Sequence, residues 1–182
     1  MPSLIFYWPE AELPMRQMTI RAEQWPLHEP FIISRLPPMQ FGEVVTVEIT
    51  ENGVTGRGEC EHTNLYEVGY PAILPQLQAI QPQIEQGLSR QALQQLLPAG
   101  CARNALDCAL WELEAKLQNR SVWQLWEQPE PPQPVTTVFT LSLRTPSEMG
   151  QAAADNAWRP LLKLKLGKAE GDLARVQAVR AA

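Results

Sequence analysis

The sequence has few charged residues and no long apolar run. Charged side chains make up 19% of the 182 residues and the formal net charge is -5, so no basic stripe exists for a nucleic-acid surface. No apolar segment approaches the roughly 20 residues that cross a bilayer, so no membrane partner is expected. Hydrophobic residues still reach 45%, which is enough for the core of a globular chain of one domain, or one and a half.

Cysteine and histidine are also scarce. The three cysteines have no paired spacing that would indicate a disulfide framework. Cys101 and Cys108 lie on one predicted helix about 10 Å apart, too far for a disulfide. We therefore expect a reducing compartment, the cytoplasm. The two histidines, His28 and His62, are far apart in sequence, and shared metal binding by them is not expected.

The first sixty residues predict a small antiparallel sheet behind an N-terminal extension. Residues 1–14 contain no Lys or Arg and are interpreted as a disordered extension rather than a signal peptide. Residues 18–25 and 45–49 alternate apolar and polar side chains, as half-buried strands do. Asn52-Gly53 predicts a tight hairpin turn, because a type I′ turn needs positive φ at both central residues.

Helices are predicted after the sheet, and the clearest runs from Cys101 to Gln118 with a leucine stripe along one face. Pro82 is expected to kink or end an earlier helix that begins near Pro71. The segment 127–134 contains four prolines and is the predicted domain boundary. The sequence therefore predicts an α+β domain over residues 15–133 and a second region over 134–182.

The second region has the pattern of β/α units. A strand is predicted over 135–143, a helix from the capping-box sequence 145–148 to about 157, a strand over 161–167 and a helix over 169–182. A complete (β/α)8 barrel takes about 250 residues. We therefore expect only the first two β/α units of a barrel, an incomplete one.

Lys163 and Lys165 carry the clearest chemical signal in the sequence. They lie two residues apart on a predicted strand and so share one face, while the neighbouring leucines share the other. At the carboxyl end of a barrel strand the lysine face would line an active-site mouth. Two neighbouring ammonium groups favour the neutral form of each other, which a general base needs. The alternative is an edge strand with solvated lysines, and periodicity alone supports both equally.

From Met15 onward the sequence resembles the N-terminal half of the muconate-lactonizing branch of the enolase superfamily, and most of all its dipeptide epimerases of the L-Ala-D/L-Glu type. The stretches that carry this resemblance are WPLHEPFIISR (25–35), GVTGRGEC (53–60), LPAGCARNALDCALWELEAK (97–116), TVFTLSLRTPSEM (137–149) and LLKLKLG (161–167).

The resemblance implies an α+β capping domain over residues 15–133 and a β/α barrel that begins at 134. It implies an isomerase, a racemase or epimerase of dipeptides such as L-Ala-D/L-Glu in cell-wall peptide metabolism. In such enzymes a lysine removes the proton α to a carboxylate, and Mg²⁺ stabilises the enediolate. The partner would be a small molecule, a dipeptide or similar carboxylate, and association into a homo-oligomer stays open.

Four residues match site positions of these enzymes. Lys165 matches the base, and Lys163 matches the partner that favours its neutral form and holds the substrate carboxylate. Thr140 matches a threonine that lines the substrate site. Arg35 matches an arginine that meets the distal carboxylate of Ala-Glu, although a solvated surface role fits Arg35 equally well.

The sequence also departs from the epimerase pattern. Residues 61–70 differ from the usual specificity loop, with Leu65 at the arginine position, which leaves the Ala-Glu substrate open. The acidic metal ligands and the opposing lysine are expected on barrel strands outside this chain, so the chain alone should be inactive. Rival interpretations are an o-succinylbenzoate synthase, a muconate cycloisomerase, and a non-catalytic truncated remnant.

Overall fold

The computed structural model describes residues 15–61, 69–167 and 170–182. The predicted extension 1–14 and the divergent segment around Leu65 lie outside the described residues. The chain divides into two compact units. The first unit contains the described residues up to Glu23 and those of Glu43–Pro131, and the second contains Gln24–Gly42 and Pro132–Ala182. The boundaries inferred from the sequence, 1–14, 15–133 and 134–182, stay a prediction.

A three-stranded sheet has the strand order β1-β2-β3, and its strands are β1 (Gln17–Phe31), β2 (Met39–Glu51) and β3 (Val54–Glu61). β2 and β3 pair antiparallel around a turn in which Asn52 and Gly53 have φ of 52° and 77°, as the hairpin signal requires. The alternating residues of β2 that face the core are fully buried: Val45, Val47 and Ile49. The predicted antiparallel sheet is confirmed.

Four helices complete the first unit: α1 (Tyr70–Glu85), α2 (Arg90–Leu96), α3 (Cys101–Leu117) and α4 (Val122–Leu125). Pro82 lies inside α1, so the helix does not end there. The reason is the apolar face of α1, which continues on both sides of Pro82 and is buried from Ile73 to Ile84. Packing of that face outweighs the backbone hydrogen bond that proline cannot donate.

Helix α3 lies directly on strand β3, and two glycines make this approach possible. A Cβ atom on Gly58 would overlap the carbonyl oxygen of Ala105, and one on Gly56 would overlap that of Ala109. Both alanines are fully buried. The helix has small alanine side chains at this contact and the strand has glycines without side chains, so the two backbones come into contact.

The second unit contains β4 (Phe139–Leu141), α5 (Pro146–Asp155), β5 (Leu162–Leu164) and α6 (Asp172–Ala181). β4 and β5 pair in parallel, and their apolar face packs on the helices around a small core: Leu141, Met149 and Ala153. The predicted fold class, an α+β capping domain followed by two β/α units, is confirmed. β4 is shorter than the predicted strand over 135–143, because it pairs with only three residues of β5 and Val135 is exposed.

The described residues also bear on membrane crossing. Within 15–61, 69–167 and 170–182, no helix combines the length and the apolar character that a bilayer span requires.

Candidate active site

The parallel pairing of β4 with β5 brings three of the predicted site residues onto one face. Thr140 lies directly opposite Lys163, and the backbone N–H of Lys165 donates to the carbonyl of Leu141 at 3.1 Å. Since side chains alternate along a strand, Thr140, Lys163 and Lys165 project from the same side. Leu162 and Leu164 pack instead against the core beneath the helices. Lys163 is exposed and Lys165 is half-buried.

The end of β1 lies beside the carboxyl ends of these two strands. The N–H of Leu143 donates to the carbonyl of Ile32 at 2.9 Å, and the N–H of Ile32 lies 3.4 Å from the hydroxyl oxygen of Ser142. The ammonium nitrogen of Lys165 is 5.6 Å from the centroid of the Phe31 ring, within the range of a cation–π contact. The segment after β1 therefore forms one wall of the lysine face.

The turn that carries Arg35 reaches the same place. Gly167, just beyond β5, has φ of 122°, a left-handed value that other residues rarely adopt. A Cβ on Gly167 would lie only 2.7 Å from the hydroxyl oxygen of Ser34, so the turn packs on the glycine backbone. Arg35 follows Ser34 and is exposed. All four predicted site residues thus belong to the second unit.

The carboxylates around this face are bonded to other groups of the protein. Glu29 pairs with Arg144 at 2.7 Å, and Asp172 pairs with Arg175 at 3.1 Å. Glu148 accepts hydrogen bonds from the hydroxyl and the N–H of Thr145 in the capping box, and these bonds hold its pKa below the usual value. Among residues 15–61, 69–167 and 170–182, no group of three His, Cys, Asp or Glu could hold a metal ion. The described residues therefore do not fit a Mg²⁺ site.

Cys60, in the core of the first unit, has no nucleophilic character. Burial raises the pKa of its thiol to about 11, so the group is protonated at neutral pH. Cys60 lies on β3 and packs in the hydrophobic core of the first unit, which explains a small apolar side chain at this position.

Sequence reasoning missed several residues of this site. Phe31 and Ile32 fall within residues 15–133, the predicted first domain, and the sequence pattern does not show that this segment packs in the second unit. Ser142 lies in a predicted strand with nothing to mark its bond to Ile32. Gly167 had a usable signal, since a glycine directly after a strand indicates a left-handed residue or a close backbone approach.

The chain matches known proteins over most of its length. The family described as mandelate racemase / muconate lactonizing enzyme, N-terminal domain, matches residues 15–126. The L-Ala-D/L-Glu epimerase of Escherichia coli (strain K12) is 42% identical over 154 residues, which cover 84% of this chain and 47% of that protein. The resemblance to dipeptide epimerases is confirmed.

Solved structures agree with this result. An enolase family member from Agrobacterium tumefaciens, described as homologous to dipeptide epimerases and solved with sodium and L-Ala-L-Glu, is 40% identical with a TM-score of 0.84; the match covers 91% of this chain and 50% of that one. A dipeptide epimerase from Cytophaga hutchinsonii, solved with Mg and D-Ala-L-Val, shares the fold at 20% identity and a TM-score of 0.79, over 93% of this chain and 48% of that one. The chain spans about half the length of the curated relatives it matches.

Proposed function

The chain belongs to the mandelate racemase / muconate lactonizing enzyme family, and on that premise we propose that it carries the proton-abstracting half of a dipeptide epimerase. The observation that supports this most directly is the strand register. It sets Thr140 opposite Lys163, with Lys165 next on the same face and beside the end of β1. The proposed substrate is a dipeptide in which the N-terminal amino acid is joined to glutamate or a similar residue.

Lys165 is proposed as the general base on one face of the substrate's α-carbon. In its neutral form the Nζ lone pair takes the α-proton, and the electrons of the C–H bond move into the adjacent carboxylate as an enediolate forms. Lys165 is half-buried against the Phe31 ring, which shields it from water more than Lys163. Return of a proton to the opposite face completes epimerisation, and no described residue is assigned to that step.

The other three residues are proposed to bind rather than to transfer protons. Lys163, two residues before Lys165, would hold the substrate carboxylate that is bonded to the reacting α-carbon. Thr140 faces it across the strand pair and offers a hydroxyl to the same substrate group. Arg35 is exposed in the turn above Gly167, where a guanidinium can meet a distal carboxylate with two parallel hydrogen bonds.

Mg²⁺ is the proposed cofactor of the whole enzyme, where it would stabilise the enediolate charge. The cytoplasm is the proposed location, because the chain has only three cysteines and the structure has all of them free. Both statements rest on the family and on composition.

A chimera tests the proposed function. This chain would replace the matching part of the Escherichia coli epimerase, and α-proton exchange of L-Ala-L-Glu and L-Ala-D-Glu would be followed by NMR in D₂O. We expect exchange with both epimers from the chimera and none from the 182-residue chain alone. A folded chimera that binds Mg²⁺ but exchanges neither dipeptide, while exchanging another N-acyl or carboxylate substrate, would move the assignment to a different isomerase of the family.

A further inference from the structure

A charged pair at the start of α6 bonds to backbone atoms beyond the ends of both parallel strands. One carboxylate oxygen of Asp172 accepts from the N–H of Gly167 at 3.0 Å, just after β5. The Nε of Arg175 donates to the carbonyl of Arg144 at 2.7 Å, just after β4. The two side chains also pair with each other at 3.1 Å. One helix turn thus joins the carboxyl ends of the two strands.

The pair is held in one orientation. Arg175 has a third contact, from Nη1 to the carbonyl of Glu170 at 3.1 Å. Its side chain is only 12% exposed and that of Asp172 is 24% exposed. Hydrogen bonds with a charged partner are stronger than neutral ones, and shielding from water strengthens them further. A guanidinium can direct several N–H groups at different acceptors at once, which an ammonium on a flexible stem does less well.

The backbone fixed by this pair is the backbone of the candidate site. Lys165 lies two residues before Gly167, and its N–H bonds to β4. Ser34 packs on Gly167, and Arg35 is the next residue of that turn. A displacement of Gly167 would therefore move both Lys165 and the Arg35 turn.

We propose that Asp172 and Arg175 are positioning residues that hold Lys165 at its place beside Phe31 and below the Arg35 turn. The proposal rests on the proposed role of Lys165 as the base. Neither residue of the pair touches the lysine, so both act through the strand ends. Without the pair, the two strand ends lose their shared anchor on α6, and the lysine side chain leaves the Phe31 ring.

The test uses the position of Lys165 relative to that ring. In the 182-residue chain labelled with ¹³C-lysine, ring current from Phe31 should displace the Hε signal of Lys165 from that of exposed Lys163. Lys165→Arg assigns the signal, and Phe31→Leu measures how much displacement the ring produces. All spectra are recorded well below the unfolding transition, where a residue that only adds stability would leave the Lys165 signal unchanged.

Two variants should move the signal. In Asp172→Ala and in Arg175→Lys, the Lys165 Hε signal should lose most of the displacement that Phe31→Leu removes. Asp172→Asn should retain part of it, because its amide oxygen can still accept from Gly167. The matched control is Asp155→Ala on α5, which removes the same charge and a similar helix hydrogen bond, from Gln151, and should leave the signal in place.

An unchanged Lys165 signal in folded Asp172→Ala and Arg175→Lys would overturn the proposal. If Asp172→Ala does not fold, Arg175→Lys decides, since it keeps the charge. The measurement needs no substrate. A chimera that shows no proton exchange would therefore contradict the proposed function. The Lys165 signal would still test the positioning role of Asp172 and Arg175 independently.

Discussion

The two units of the chain differ in the size of their apolar cores. In the part of the chain that the structure describes, the first unit has a continuous core of sixteen buried residues, built around α3 and the glycines of β3. Among its described residues, the second unit has four buried ones, Leu141, Leu143, Met149 and Ala153, and three of them form a cluster beneath two three-residue strands. Its four candidate site residues all lie outside that core. The first unit is thus organised by apolar packing, and the second by hydrogen bonds that fix strand ends.

The same contrast appears in the charged residues. In the first unit the Glu48 carboxylate pairs with Arg21 and Arg57 on the outer face of the sheet. These charges therefore neutralise one another within the protein. In the second unit the ion pairs of the described residues are Arg144–Glu29 and Arg175–Asp172, and they include neither Lys163 nor Lys165. Substitutions in the first unit should therefore change stability, and those on the lysine face should change reactivity.

The largest expected effect is on reactivity. Lys165→Ala in the chimera should reduce α-proton exchange from one epimer by about 10²–10⁴-fold or more, since the general base for that face is gone. Exchange from the other epimer, whose α-hydrogen faces the opposite side, should persist. The measurement is NMR in D₂O on each epimer separately. The fold should stay intact, because the side chain contributes little to the core.

Lys163→Ala is the matched control for that result. It should weaken exchange from both epimers, because carboxylate binding serves both directions. Equal residual exchange from both epimers in Lys165→Ala would show that Lys165 is not the base.

The next largest effect is on packing in the first unit. Gly58→Ala should destabilise the chain by about 3 kcal/mol or more, because the new methyl group overlaps the helix backbone at Ala105, which cannot move aside like a flexible side chain. Urea unfolding followed by circular dichroism measures the loss. Gly42→Ala is the control, since nothing lies within 4 Å of its Cβ position. Similar midpoints for the two variants would contradict the close helix–strand approach.

Local patterns predicted the elements well. Asn52-Gly53 defined the hairpin, the leucine stripe defined α3, and the capping box at Thr145 defined the start of α5. Each of these signals acts between residues close in sequence, so composition and spacing contain it. The opposite faces of the leucines and lysines followed from strand alternation for the same reason.

Long-range placement was not predictable. Nothing in the alternation of β1 indicates that Gln24–Phe31 belongs to the unit of residues more than a hundred positions later, because that depends on the bond from Leu143 to Ile32. The length of β4 was overestimated since apolar composition extends to Val135, while pairing depends on β5. The bonds from α6 to both strand ends likewise depend on tertiary geometry.

A smaller effect concerns the core of the second unit. Met149 is fully buried there, and Met149→Ala should cost about 2 kcal/mol, the lower end for such truncations because a small core can collapse around the space. Amide hydrogen exchange should accelerate in β4 and β5 while α3 stays protected, if the two clusters are separate cores. Leu110→Ala, fully buried in α3, should do the reverse. Equal acceleration in both regions would mean that the clusters unfold as one.

The smallest expected effect concerns the ion pairs on the outer face of the sheet. Hydrogen bonds from Arg57 and then Arg21 hold the pKa of Glu48 below its usual value of 4.5. A depressed pKa in the folded state means that the contribution to stability is present at neutral pH and disappears as the pH falls through that lowered pKa. Both arginines are about half exposed, at 49% and 61%, so solvent screens the pairs and Glu48→Gln should cost only about 0.2–1 kcal/mol at pH 7.

Urea unfolding of the unsubstituted protein and of Glu48→Gln, at stepwise lower pH, measures this effect. The difference between their free energies of unfolding should shrink to zero as the pH falls, and high salt at pH 7 should reduce it as well. Glu61→Gln on the neighbouring strand controls for removal of one carboxylate. A difference that persists after Glu48 is protonated would show that side-chain packing, and not charge, is what Glu48 contributes to the first unit.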